Sequence, residues 1–192
     1  MNYLAHLHIA DHCQSNLLGN LLGDFVKGAP ERHYPLTVAQ GVRLHRFVDS
    51  YTDHHDEVTA IKALFPNGTR RYAPIALDMF WDHCLAAQFN HYHDQSLSSF
   101  CRAAHQRVMQ DMGIALPPRF VHTHAAMEQG RWLESYQRLD NIGFALERMS
   151  HRSPRMAPLV DCFAYLDRHY SLLNEVFTRF YPQVLNASKS FC

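Results

Sequence analysis

No run of about 18 uninterrupted apolar residues occurs in the 192-residue chain, and the opening MNYLAHLHIADH has no basic start followed by a long apolar stretch. Neither a membrane span nor a signal peptide is expected. Cysteine occurs five times, as Cys13, Cys84, Cys101, Cys162 and Cys192, but the number is odd, the spacing wide and no C-x-x-C pair exists. That pattern excludes a disulfide framework and a zinc ribbon, and a reducing cytoplasm is the plain expectation. Net charge is lacking too: Lys plus Arg and Asp plus Glu each number 18. A general polyanion binder is thereby excluded, and nucleic acid is not expected as a partner. Glycine is scarce, at eight residues, and alternating apolar and polar runs bounded by tight-turn pairs are absent, which argues against a β fold.

What the chain does have is apolar residues at three- and four-residue intervals almost throughout. The spacing predicts an all-α fold, one compact helical domain over 1–192, with helices near 14–27, 37–54, 74–92, 96–112, 121–149 and 155–185. Gly28-Ala29-Pro30, Pro66-Asn67-Gly68, Pro117-Pro118 and Ser153-Pro154 are the breaks. Thr37 and Gln40 read as a capping box for the second helix. In the second half, Trp132, Tyr136, Phe144, Phe163, Leu166, Tyr170 and Phe177 are expected in the core, which places function in the first half.

Fifteen histidines raise the expectation of metal or acid/base chemistry. In HRFVDSYTDHH, residues 45–55, His45 and Asp49 extend an inward row begun by Val38 and Val42, whereas Arg43, Arg46 and Ser50 face water. In PIALDMFWDHCLAAQF, residues 74–89, Asp78 and Asp82 stack one turn apart on a helix that is apolar nearly all round. His83 points about 100° away from Asp82. In NLLGNLLGDFVKG, residues 16–28, Asp24 continues the Leu17 and Leu21 row, and His6 precedes that helix. Carboxylates on apolar faces need a partner, either buried cations or a bound metal. With Arg46 facing solvent and Lys27 at a helix end, few side-chain cations are available. Imidazoles and carboxylates without thiolates suit manganese, magnesium or iron, and metal-assisted hydrolysis is the chemistry such a set supports.

The blocks NYLAHLHIA, LLGNLLGDFVKG, HRFVDSYTDHH and TRRYAPIALDMFWDHCL, in that order and spacing, resemble the bacterial acyl carrier protein phosphodiesterase family, also called acyl carrier protein hydrolyase; RSPRM and YLDRHY are similar but less diagnostic. The resemblance implies an all-helical fold distantly like the HD-type phosphohydrolases, a divalent metal often met by Mn2+, with Mg2+, Fe2+ or Co2+ as substitutes, and removal of phosphopantetheine from holo acyl carrier protein. A histidine followed directly by aspartate has no inward counterpart here: Asp82-His83 and Asp11-His12 are reversed, and His55-Asp56 and His93-Asp94 lie off the inward stripes.

The expected metal ligands, direct or through water, are Asp24, His45, Asp49, Asp78 and Asp82, with His6 and His83 as supporting or acid/base groups. Arg46, Arg70 and Arg71 are candidates for phosphate or for an acidic partner surface, and Lys27 and Arg43 flank the same segments. The competing readings are an HD-like hydrolase of a small nucleotide, on the same site, and a non-catalytic helical module in which the inward acids form ion pairs.

Overall fold

Helices form wherever an apolar stripe can be buried, and the computed structural model, which describes residues 1–192, contains no strand. In chain order the helices are α1 Tyr3–His12, α2 Leu17–Leu22, α3 Leu36–His54, α4 Asp56–Lys62, α5 Ala73–Ala87, α6 Leu97–Asp111, α7 Pro118–Gln129, α8 Trp132–Ser135, α9 Leu139–Ser150, α10 Cys162–Arg168 and α11 Tyr170–Phe191. No helix is long and apolar enough to cross a membrane.

α5 is the central element. From Ala76 to Ala86 all but Asp78 are buried, and Trp81 lies edge-on to Phe180 at 5.0 Å and alongside Phe177 at 6.0 Å, joining α5 to α11. α1 is also buried without a break from Leu4 to Ala10. A helix buried all round shows no amphipathic period, which is why the sequence pattern passes over it. α4, only seven residues long, was equally unexpected.

Other boundaries differ from expectation for local reasons. The expected helix 121–149 is three helices: Gly130 and Arg131, the latter at φ +46°, end α7, and Gln137-Arg138 separates α8 from α9. The expected 155–185 is divided at His169, with a 3-10 turn over Pro154–Leu159 ahead of it. α3 starts at Leu36 with Pro35 in the cap position and no capping side chain, so the Thr37 box does not form. Phe144 is 61% exposed rather than core, because its face of α9 looks outward.

Two glycines bring α2 onto α3. A Cβ on Gly19 would stand 2.2 Å from the Val38 carbonyl oxygen and 2.9 Å from the Gly41 Cα. Only glycine permits that approach, and it sets how near the segment ending in Asp24 lies to the inward face of α3.

Candidate active site

The inward stripe of α3 delivers His45 and Asp49 one turn apart, and α1 brings His6 against them. His6 Nε2 is 3.0 Å from Asp49 Oδ1, and His45 Nε2 is 3.0 Å from Asp49 Oδ2 and 3.5 Å from Asp24 Oδ1. The two imidazoles stack at 3.7 Å between centroids with planes 13° apart. One ligand atom from each of His6, His45 and Asp49 lies within 4.8 Å of the other two. Both histidines are buried, Asp49 is half-buried, and Asp24 is exposed at the end of the α2 turn.

His45 decides the chemistry. Its Nδ1 is 2.7 Å from the Asn20 carbonyl, an acceptor, so Nδ1 must carry a hydrogen and donate it. In a neutral ring Nε2 then has only a lone pair, which would face the two carboxylates of Asp49 and Asp24, and this buried nitrogen makes no hydrogen bond in the fold. Either a proton or a cation must lie between them. Without a cation, burial works against charge, but Asp24 and Asp49 raise the His45 pKa to about 9. His6 behaves oppositely: burial and then the neighbouring His45 lower it to about 4, so it stays neutral. Burial also opposes ionisation of Asp49, yet His6, His45 and the Met1 ammonium hold its carboxyl far below the ordinary range. A histidine that donates one nitrogen to a backbone carbonyl and aims the other at carboxylates has the arrangement of a metal ligand, and two imidazoles with two carboxylates fit a divalent ion.

The α5 acids belong to the surroundings of this cluster rather than its centre. Asp78 is 2.5 Å from the ammonium nitrogen of Met1, which also lies 3.5 Å from Asp49. The expectation that inward cations are scarce is therefore corrected: the terminal ammonium answers Asp78. Asp82 is fully buried, and its two oxygens accept from the backbone N–H of Leu4 at 2.8 Å and of Ala5 at 3.0 Å. It satisfies the unpaired first-turn amides of α1 and so fixes the helix that carries His6. The like-charge conflict expected between Asp78 and Asp82 is thus relieved by an ammonium on one and two amides on the other. Burial raises the Asp82 pKa to about 7. His83 is not at the site: its Nδ1 is 2.8 Å from the Tyr136 carbonyl and its Nε2 3.1 Å from the Tyr170 hydroxyl, so it is a satisfied core histidine.

The sequence profile of the family described as Acyl carrier protein phosphodiesterase matches residues 1–184. The chain belongs to that family. A protein of Serratia proteamaculans (strain 568) named acyl carrier protein phosphodiesterase is 42% identical over 190 residues, covering 98% of both chains. Proteins of the same name from Klebsiella pneumoniae (strain 342) and Salmonella newport (strain SL254) are 41% identical over 191 residues and 42% over 186, covering 99% and 96% of this chain and 98% and 96% of their own. No solved structure matches.

The basic residues expected to bind substrate are mostly occupied in holding loops. Arg43 pairs with Glu31, Arg46 donates to the carbonyls of Val26 and Gly28, Arg70 to that of Phe65, and Arg71 to that of Arg155. Arg46 is half-buried rather than wholly wet, because it ties down the turn after Asp24. Lys27 is exposed on that turn. Three arginines from the second half lie beside Phe25 or Tyr3. Arg119 sits 5.6 Å over the ring of Phe25, the neighbour of Asp24. Tyr3, whose phenol is raised to about 12 by burial and by Asp24, is pulled the other way by Arg152 and Arg119. A cavity of about 220 Å³ beside it is lined by Asn2, Tyr3, Met79, Trp132, Arg148 and Arg152 among others.

Sequence reasoning also passed over Asn20 and Gly23. A Cβ on Gly23 would stand 2.1 Å from ring atoms of His45, so this glycine leaves room for the imidazole while Asn20 orients it. The repeated L-L-G of residues 17–23, with Asn20 between the two copies, was the available signal.

Proposed function

We propose that the protein is a divalent-metal-dependent phosphodiesterase that hydrolyses the bond joining a serine of holo acyl carrier protein to its prosthetic arm, giving apo carrier protein and free phosphopantetheine. Family membership supplies the substrate class, since its relatives are named for this activity. The observation that carries the metal requirement is the Nε2 of His45: with Nδ1 committed to the Asn20 carbonyl, this nitrogen and the two carboxylates it faces need a proton or a cation between them, and a divalent ion meets all three.

His6, His45, Asp49 and the exposed Asp24 would hold the ion, with manganese the best fit and iron, cobalt or magnesium as substitutes. When bound, such an ion supplies Lewis acidity toward a phosphoryl oxygen and toward the attacking water. The chain's own residues do the rest. Asn20 and Gly23 set the His45 ring, and Asp82 sets α1 and with it His6. Asp24, at the solvent edge, accepts a hydrogen bond from the incoming water. Arg119, over the Phe25 ring, and Arg152, in the cavity beside Tyr3, bind the diester's anionic oxygens. The groove lined by Tyr3, Met79 and Trp132 takes the largely uncharged pantetheine arm, and Arg148, stacked at 5.1 Å on Trp132, lies along it.

The substrate class is tested by comparing holo carrier protein with a free nucleotide phosphoester and a nitrophenyl phosphodiester under one metal condition. A kcat/KM for holo carrier protein at least about a hundredfold above both is expected if the arm and protein surface contribute binding energy to the transition state. Preference for the nucleotide would replace this reading with a small-molecule phosphohydrolase.

A further inference from the structure

A second group of metal-binding side chains lies away from the active site, between α6 and α7. His124 and Glu128 are one turn apart on α7, and His105 faces them from α6; one ligand atom from each lies within 4.8 Å of the other two. His105 Nδ1 is 3.2 Å from Glu128 Oε2, and His124 Nε2 is 3.9 Å from Glu128 Oε1. Ligands about 2.0–2.1 Å from a tetrahedral zinc stand about 3.4 Å apart, so small side-chain adjustments close the set.

An independent observation points to a ligand. His124 is 5% exposed, and its Nε2 has no hydrogen-bond partner; the buried Nδ1 of His105 meets only the Glu128 carboxylate, at 3.2 Å, without forming a hydrogen bond. Leaving two buried ring nitrogens unpaired is costly. No arginine relieves Glu128: Arg131, the nearer candidate by sequence, pairs with Glu134 at 3.0 Å. His105 and Glu128 border a cavity of about 370 Å³, also lined by Cys101 and Glu134, with room for a water or a further ligand.

We propose that His105, His124 and Glu128 form a second metal site, of the zinc class, that fastens α6 to α7. Two imidazoles and one carboxylate are a borderline-soft set that favours zinc over manganese. The site is positioned to steady the active centre, since His124 stacks at 5.7 Å on Phe120, which meets Phe25, the neighbour of Asp24, edge-on at 5.4 Å. It does not depend on the reaction assigned to the first site.

The test is zinc titration by calorimetry, with melting curves, on the wild-type protein and on an Asp49→Asn background that removes the central carboxylate of the active cluster. His105→Ala and Glu128→Gln alter side chains at the rim, and circular dichroism checks their folding. In the wild-type chain, combining them lowers zinc stoichiometry by one equivalent. In the Asp49→Asn background each weakens zinc binding at least about tenfold and cancels the zinc-induced rise in melting temperature. Zinc stoichiometry and affinity unchanged by the double substitution, or no zinc bound by the Asp49→Asn protein, would overturn the proposal.

Discussion

His45 has one nitrogen committed to Asn20 and the other aimed at Asp49 and Asp24, whereas His83, on α5, has both nitrogens satisfied by Tyr136 and Tyr170. The two histidines should therefore respond differently to substitution. Asp49→Asn and His45→Ala are each expected to lower turnover by about two orders of magnitude or more, with helical circular dichroism retained. His83→Gln should leave turnover within a few fold and lower stability by about 1–3 kcal/mol, the scale of losing buried hydrogen bonds. Steady-state rates and melting curves on the three proteins check this, and near-normal turnover in folded Asp49→Asn would make the stripe structural. At this scale the sequence was informative about α3, because an amphipathic helix declares which side is buried. It was not informative about α5. A helix buried all round gives no angular reference, so nothing distinguished Asp78 beside an ammonium, Asp82 under a helix end and His83 against a carbonyl.

Elements meet at the site because α2 lies unusually close to α3, and two glycines serve different ends there. At Gly19 an added methyl would meet backbone of α3, which cannot give way cheaply; at Gly23 it would meet the His45 ring. Gly19→Ala is expected to cost about 1–3 kcal/mol of stability by forcing the helices apart. Gly23→Ala should instead lose turnover and weaken manganese binding out of proportion to any change in melting temperature, because the ring must turn away from Asp24. Paired melting and metal-titration experiments separate the two, and equal effects on stability and binding at both positions would contradict the assignment. Helix existence was legible where a stripe faces inward, as in α3 and α6. The breaks at Arg131 and His169 were not, since a left-handed residue or one change of direction leaves the apolar spacing intact.

For the whole molecule, net charge is zero while the carrier protein expected as substrate is acidic, so the encounter rests on local charge. The sequence drew attention to arginines of the first half; the fold brings Arg119 from the second half over Phe25, the neighbour of Asp24, and Arg152 to the cavity beside Tyr3, juxtapositions that chain order does not encode. Arg119→Glu with Arg152→Glu should raise the KM for holo carrier protein by about tenfold or more and flatten its salt dependence. Arg43→Glu, which removes the partner of Glu31, should change it little. An unchanged KM in the first variant would remove the proposed basic face. Acid stability is a second global property. His8 is buried between the Tyr181 hydroxyl at 2.8 Å and the Tyr92 carbonyl at 3.1 Å, and burial lowers its pKa from 6.5 to about 4. It is uncharged in the fold but takes up a proton more readily when unfolded. Its contribution is complete above about pH 6.5 and is lost as pH falls toward about 4, on the order of 3 kcal/mol. Denaturant midpoints across that interval should fall for the wild-type chain and fall less for His8→Gln.

The most direct test is the intact mass of holo acyl carrier protein incubated with this protein, after metal removal, in chelator and again with manganese restored. Loss of the mass of phosphopantetheine is expected with manganese and not in chelator, and the Asp49→Asn protein should leave the carrier protein intact in both. Full conversion by metal-stripped protein in chelator would contradict the metal requirement, and an unchanged carrier mass with manganese present would contradict the proposed substrate.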